Sequence, residues 1–153
     1  MRINVFVSAV LATALAAGGA IVPAASAQAA APTVKVSTIY FDSPGSDRGG
    51  NASLNAEYVT LTNTTARPQT LTGWTLKDKV GHTFRFGTFT LAARAKVVVR
   101  TGRGTASQST QYFNSSWYIW NNDKDTATLR DGRGKVVHTV SYVARKGQAS
   151  KNF

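Results

Sequence analysis

Leu71-Thr72-Gly73-Trp74-Thr75-Leu76-Lys77-Asp78 is the stretch on which the fold turns. Trp74 and Leu76 stand two apart, so an extended, pleated chain sends both to one face. There a large aromatic would plug a β-sandwich while Gly73 gives the neighbouring chain room to pass. Asp78 follows at once and precedes Lys79-Val80-Gly81, a place where a carboxylate accepts backbone donors in a turn. Upstream, Glu57 to Thr62 alternates cleanly, with Glu57, Val59 and Leu61 on one face and Tyr58, Thr60 and Thr62 on the other. If that first face is the core, Glu57, the sole glutamate, needs a buried partner such as an arginine or a backbone N–H, because a lone buried carboxylate is costly.

The same grammar continues in both directions. Val34 to Tyr40 is β-branched and mostly alternating, and Asp42 to Asn51 is a polar, glycine-rich loop expected to hold neither helix nor strand. Thr83-Phe84-Arg85-Phe86 places both phenylalanines on one face. Arg94-Ala95-Lys96-Val97-Val98-Val99-Arg100 puts Arg94, Lys96 and Arg100 on a solvent face and leaves Val97 and Val99 for the interior. Trp117-Tyr118-Ile119-Trp120, taken as a strand, pairs Trp117 with Ile119 and Tyr118 with Trp120. Strands at 126–129 and 136–142 flank Asp131-Gly132-Arg133-Gly134, a hairpin whose Asp-Gly start supplies positive φ. After residue 31 no apolar set recurs at helical spacing, and about eight short strands 8 to 12 residues apart predict an all-β sandwich or barrel.

The N-terminus has a different character. Arg2, an apolar run from Val5 to Ala17, Gly18-Gly19, Pro23 and then Ala25-Ser26-Ala27 form the pattern of a secretory signal peptide, with cleavage expected after Ala27. Residues 28–33 are a short Ala- and Pro-rich lead-in expected to be disordered, 34–142 the domain, and 143–153 a basic C-terminal tail. No transmembrane segment follows the leader, so the mature chain is expected outside the cell, free or at the wall.

Composition narrows the chemistry. The 153 residues carry 18 Lys+Arg against 7 Asp+Glu, a formal charge of +11, from which the leader would remove only the unit that Arg2 supplies. One domain of this size is expected, held by its core alone, since there is no cysteine. Disulfides, thiolate metal sites and a cysteine nucleophile are thereby excluded. A serine hydrolase would need a nucleophile beside a histidine, and no Gly-x-Ser-x-Gly occurs; His82 and His138 are better taken as surface or packing residues. The Asn121-Asn122-Asp123-Lys124-Asp125 run has oxygen ligands of the kind calcium accepts, but Lys124 interrupts it and it is better taken as a turn. No catalytic residue, metal or cofactor is expected.

The Leu71 to Asp78 motif, preceded by Glu57 to Asn63 and followed by His82-Thr83-Phe84, resembles the lamin tail domain family in its secreted bacterial branch. Phe89-Thr90-Leu91, Thr101-Gly102-Arg103-Gly104-Thr105 and Trp120-Asn121-Asn122 leading to Asp125-Thr126-Ala127-Thr128-Leu129 stand in the family's order. The resemblance spans about residues 34–142 and implies an immunoglobulin-like β-sandwich, with Glu57, Gly73, Trp74, Leu76, Asp78, Trp120, Asn121 and Asp125 as its structural motif. Tyr58 stands where the family often has Trp, and Thr60 where it often has an acid. The resemblance further implies a scaffold that binds proteins or DNA, in a family whose bacterial copies are often attached to exported hydrolases.

Function is therefore expected to be that of a secreted, non-catalytic structural or interaction module with a protein or cell-envelope partner. The alternative is a polyanion binder for nucleic acid or anionic wall polymer, using Arg94, Lys96, Arg100, Arg103, Arg130, Arg133 and Lys135. The second alternative is a small secreted hydrolase or nuclease. Tyr112, Phe113, Trp117, Tyr118 and Trp120 add a possible stacking platform for bases or sugars.

Overall fold

The computed structural model describes residues 30–153; the expected leader, residues 1–27, lies outside the described residues. The described chain forms eleven strands and one short helix: β1 (Val34–Tyr40), α1 (Asn51–Ala56), β2 (Tyr58–Asn63), β3 (Gln69–Thr70), β4 (Thr75–Lys77), β5 (Thr83–Arg85), β6 (Thr90–Leu91), β7 (Lys96–Arg100), β8 (Thr110–Tyr112), β9 (Lys124–Arg130), β10 (Val136–Val143) and β11 (Ser150–Asn152). A five-stranded sheet runs β11-β1-β2-β7-β8, a four-stranded sheet runs β10-β9-β4-β5, and β3 pairs with β6. All pairings are antiparallel except β7 with β8. This is the immunoglobulin-like sandwich.

Alternation builds the core. Val59, Leu61, Val97 and Val99 from one sheet and Leu76, Phe84, Ala127 and Leu129 from the other are buried and belong to one apolar cluster. Strand β1 keeps Val34, Val36 and Ile39 inward only because its register shifts between Val36 and Thr38; this bulge resets which residues face in. His138 serves that bulge: its Nδ1 accepts the Val36 N–H at 3.0 Å.

Several expectations are corrected. The expected loop holds through Gly50, but Asn51 begins the unexpected helix α1, whose six residues bury Leu54 alone, too little for a helical periodicity to show. Residues 117–120 form no strand, so alternation does not apply: Ile119 and Trp120 are both buried and Trp117 is exposed. Trp120 is therefore the fully buried tryptophan, whereas Trp74 is half-buried against the edge of the core. In the β9–β10 hairpin the positive φ belongs to Gly134 (83°), and Asp131 acts by accepting the Arg133 and Lys135 N–H groups. The end of the supposed tail is also structured, since β11 pairs with β1. Within residues 30–33, the Pro32 and Thr33 carbonyls accept the Thr64 hydroxyl, and Thr33 also accepts the Thr64 N–H.

Candidate polyanion interface

Register decides which cations share a surface. In the four-stranded sheet Thr75 stands between Arg130 and Arg85, and Lys77 between Thr128 and Thr83. Thr139 lies opposite Thr128, Ser141 opposite Thr126, and Val143 opposite Lys124. The inward partners of these positions are Leu76, Phe84, Asp125, Ala127, Leu129, Val140 and Tyr142. The outer face is thus a field of threonine and serine hydroxyls set with Lys77, Arg85, Lys124 and Arg130, with Val136 and Val143 exposed at the two ends of β10. No outward strand position carries an acid.

Two of these cations are held in place. Arg85 Nη1 donates to the Gly73 carbonyl at 2.9 Å, and Arg130 Nη1 to the Gly134 carbonyl at 3.0 Å. Each guanidinium has five N–H donors, so most remain for a ligand. Two strand spacings separate Arg85 from Arg130, about 10 Å across the sheet. Gly73, at φ 77°, makes the turn that presents its carbonyl to Arg85. Among the described residues the one ion pair joins His82 to Asp78, so no lysine or arginine is neutralised by a carboxylate.

The seven basic residues singled out from the sequence do not converge. Arg130, Arg133 and Lys135 lie in or beside the β9–β10 hairpin. Lys96 and Arg100 lie in β7, on the other sheet. Arg100 is occupied there: its guanidinium sits 5.5 Å from the Tyr58 ring centroid and donates to the Asn55 carbonyl. Arg94 stands outside the strand at φ 59°, donating to the Thr64 carbonyl. Arg103 is held through its backbone by Asn51 and Asn55 of α1. Lys124, set aside as an interruption of an acidic run, instead faces outward from β9. Regular alternation of Thr with Lys or Arg at 75–77, 83–85 and 124–130 was the signal for this face.

Three of the acids, Glu57, Asp78 and Asp125, are used inside the fold. Glu57 Oε1 accepts the Thr101 hydroxyl at 2.6 Å and the Ile119 N–H at 2.8 Å, and no arginine meets it. Burial outweighs these bonds and pushes its carboxyl up to about 7. Asp78 accepts the Gly81 and His82 N–H groups and lies 2.6 Å from His82 Nδ1. Asp125 gathers the Lys79, Asn121 and Thr126 N–H groups and the Asn121 carboxamide, so the acidic run closes a turn. No group of three potential metal ligands occurs among the described residues. His138, accepting from Val36, is held below its usual value by burial, with Lys35 adding to the effect. No helix of the described residues is long and apolar enough to cross a membrane.

No curated protein matches the chain. The lamin tail domain family matches residues 27–144, nearly the whole sandwich. The chain belongs to the lamin tail domain family.

Proposed function

We propose that this protein is an exported, non-catalytic interaction module that holds phosphate-bearing polyanions, nucleic acid or anionic wall polymer, on the outer face of its four-stranded sheet. The observation that carries this reading is the composition of that face: Lys77, Arg85, Lys124 and Arg130 among hydroxyls, with no outward acid. Cations attract the polymer over the Debye length, and neighbouring hydroxyls donate to phosphate oxygens at contact. Export is supported by the leader-like residues 1–27 and by a family match that begins at residue 27. The absence of cysteine suits an oxidising compartment, where no thiol is left to react.

The test is affinity for duplex DNA and for wall teichoic acid as a function of salt. Four neutralised phosphates give a log–log slope of about −3 to −4 for DNA. Removing one of the four cations should reduce the slope by about 1. Binding that ignores salt, or is absent from both polymers, contradicts the reading.

A further inference from the structure

A second surface has the opposite character. Trp117 is 59% exposed, the largest aromatic surface left open among the described residues. Its ring packs directly over Gly49, where an added Cβ would lie 2.6 Å from Trp117 Cζ3, and meets Tyr118 edge-on at 5.5 Å. Beside it is a cavity of about 370 Å³ lined by Asp47, Trp117, Tyr118, Ile119, Trp120, Asn121 and Asn122. Pockets for small ligands begin at about 300 Å³.

The cavity wall is firmly anchored. Tyr118 Oη hydrogen-bonds Ser53 Oγ, Ile119 N–H donates to Glu57, and Asn121 is fixed by Asp125 and by the Tyr142 hydroxyl. The Asn122 carboxamide donates to Asp47 at 3.0 Å and to Asp42 at 3.3 Å. One lining residue is unfinished: Trp120 is 1% exposed, yet its Nε1 has no hydrogen-bond partner. A buried indole N–H normally finds an acceptor.

No cation lines this cavity, and Asp47 is its one charged group, so a polyanion is repelled. A metal ion is poorly served by one carboxylate and two carboxamides. An aromatic face beside a carboxylate and carboxamides suits a pyranose ring. Its apolar C–H face packs on the indole, while its rim of hydroxyls donates to Asp47 and exchanges hydrogen bonds with Asn121 and Asn122. We infer that the Trp117 cavity is a binding site for one unit of a neutral saccharide, separate from the cationic sheet face.

The experiment titrates the protein calorimetrically with cello-, malto-, xylo-, manno- and chito-oligosaccharides, and separately with duplex DNA. At least one saccharide should bind. Trp117→Ala should weaken it roughly tenfold or more, as removing a central aromatic anchor does, while Trp117→Tyr keeps most of the affinity. Asp47→Ala should also weaken it, and DNA affinity should stay within twofold for each variant. Melting temperature checks that the variants fold. Failure of every saccharide to bind, or binding indifferent to both Trp117→Ala and Asp47→Ala, overturns the inference.

Discussion

The outer faces of the two sheets differ in what their cations do. On the five-stranded sheet Arg100 lies over Tyr58 and donates to Asn55, and Lys35 donates to the Phe153 carbonyl, so these two charges tie strands, helix and C-terminus together, while Lys96 and Lys151 stay exposed. On the four-stranded sheet Lys77 and Lys124 are exposed, and Arg85, exposed, and Arg130, half-buried, each use one N–H on a turn carbonyl. A count of basic residues cannot separate these cases. Partners can: a guanidinium whose plane is covered by its own protein contributes to stability, and one set in an open field of hydroxyls is available to a ligand.

Several experiments would break or sharpen that contrast. The largest effect is expected from charge reversal at Lys77, Arg85, Lys124 and Arg130 together. At about 1 kcal/mol per cation beside an anionic surface, affinity for a polyanion should fall roughly a thousandfold at low salt, with little change in melting temperature. Equal loss on reversing Arg94 and Lys96 instead would erase the distinction between the faces.

The second effect concerns stability. Glu57 is raised from 4.5 to about 7, so its contribution is complete below about pH 4.5 and is lost as pH rises through 7. The change amounts to roughly 3 kcal/mol. Glu57→Gln should flatten this decline in denaturant melts between pH 5 and 8 and leave polyanion affinity unchanged. His138 has the opposite sign: its pKa is lowered, so its contribution is present above pH 6.5 and is lost on acidification, which His138→Gln should reduce. A wild-type profile that rises steadily from pH 5 to 8 would contradict the Glu57 assignment.

A smaller effect is expected from Arg100→Ala. Losing the Tyr58 stack and the bond to α1 should cost about 1 to 2 kcal/mol of stability, measured by urea titration, with polyanion affinity within twofold. Smallest of all, Lys96→Glu should change both quantities little, because Lys96 is exposed and has no hydrogen-bond partner among the described residues.

Much of the sandwich was legible because alternation is a local rule: Val97 and Val99, Phe84 and Phe86, and Leu76 are inward as their spacing requires. The rule failed where the chain is not a strand. Ile119 and Trp120 are neighbours and both are buried, because the carboxylate of Glu57, 62 positions earlier, binds the Ile119 amide and fixes an irregular loop. Helix α1 is anchored by Asn51 and Asn55 reaching Arg103, again a contact between distant positions. The cationic face was half legible. Its Thr and Lys/Arg alternation was visible in three strands, but only pairing places Arg85 and Arg130 on either side of Thr75. The same pairing separates Arg100 from Arg130, which the sequence left in one group.

The most direct test of the central claim is a map of backbone amide shifts during titration of the isotopically labelled protein with a short DNA duplex. The account predicts that shifts concentrate in β4, β5, β9 and β10 around Thr75, Lys77, Arg85, Thr128 and Arg130, and disappear at high salt. Shifts centred on β7 and Arg100, or on residues 117–122, would contradict it.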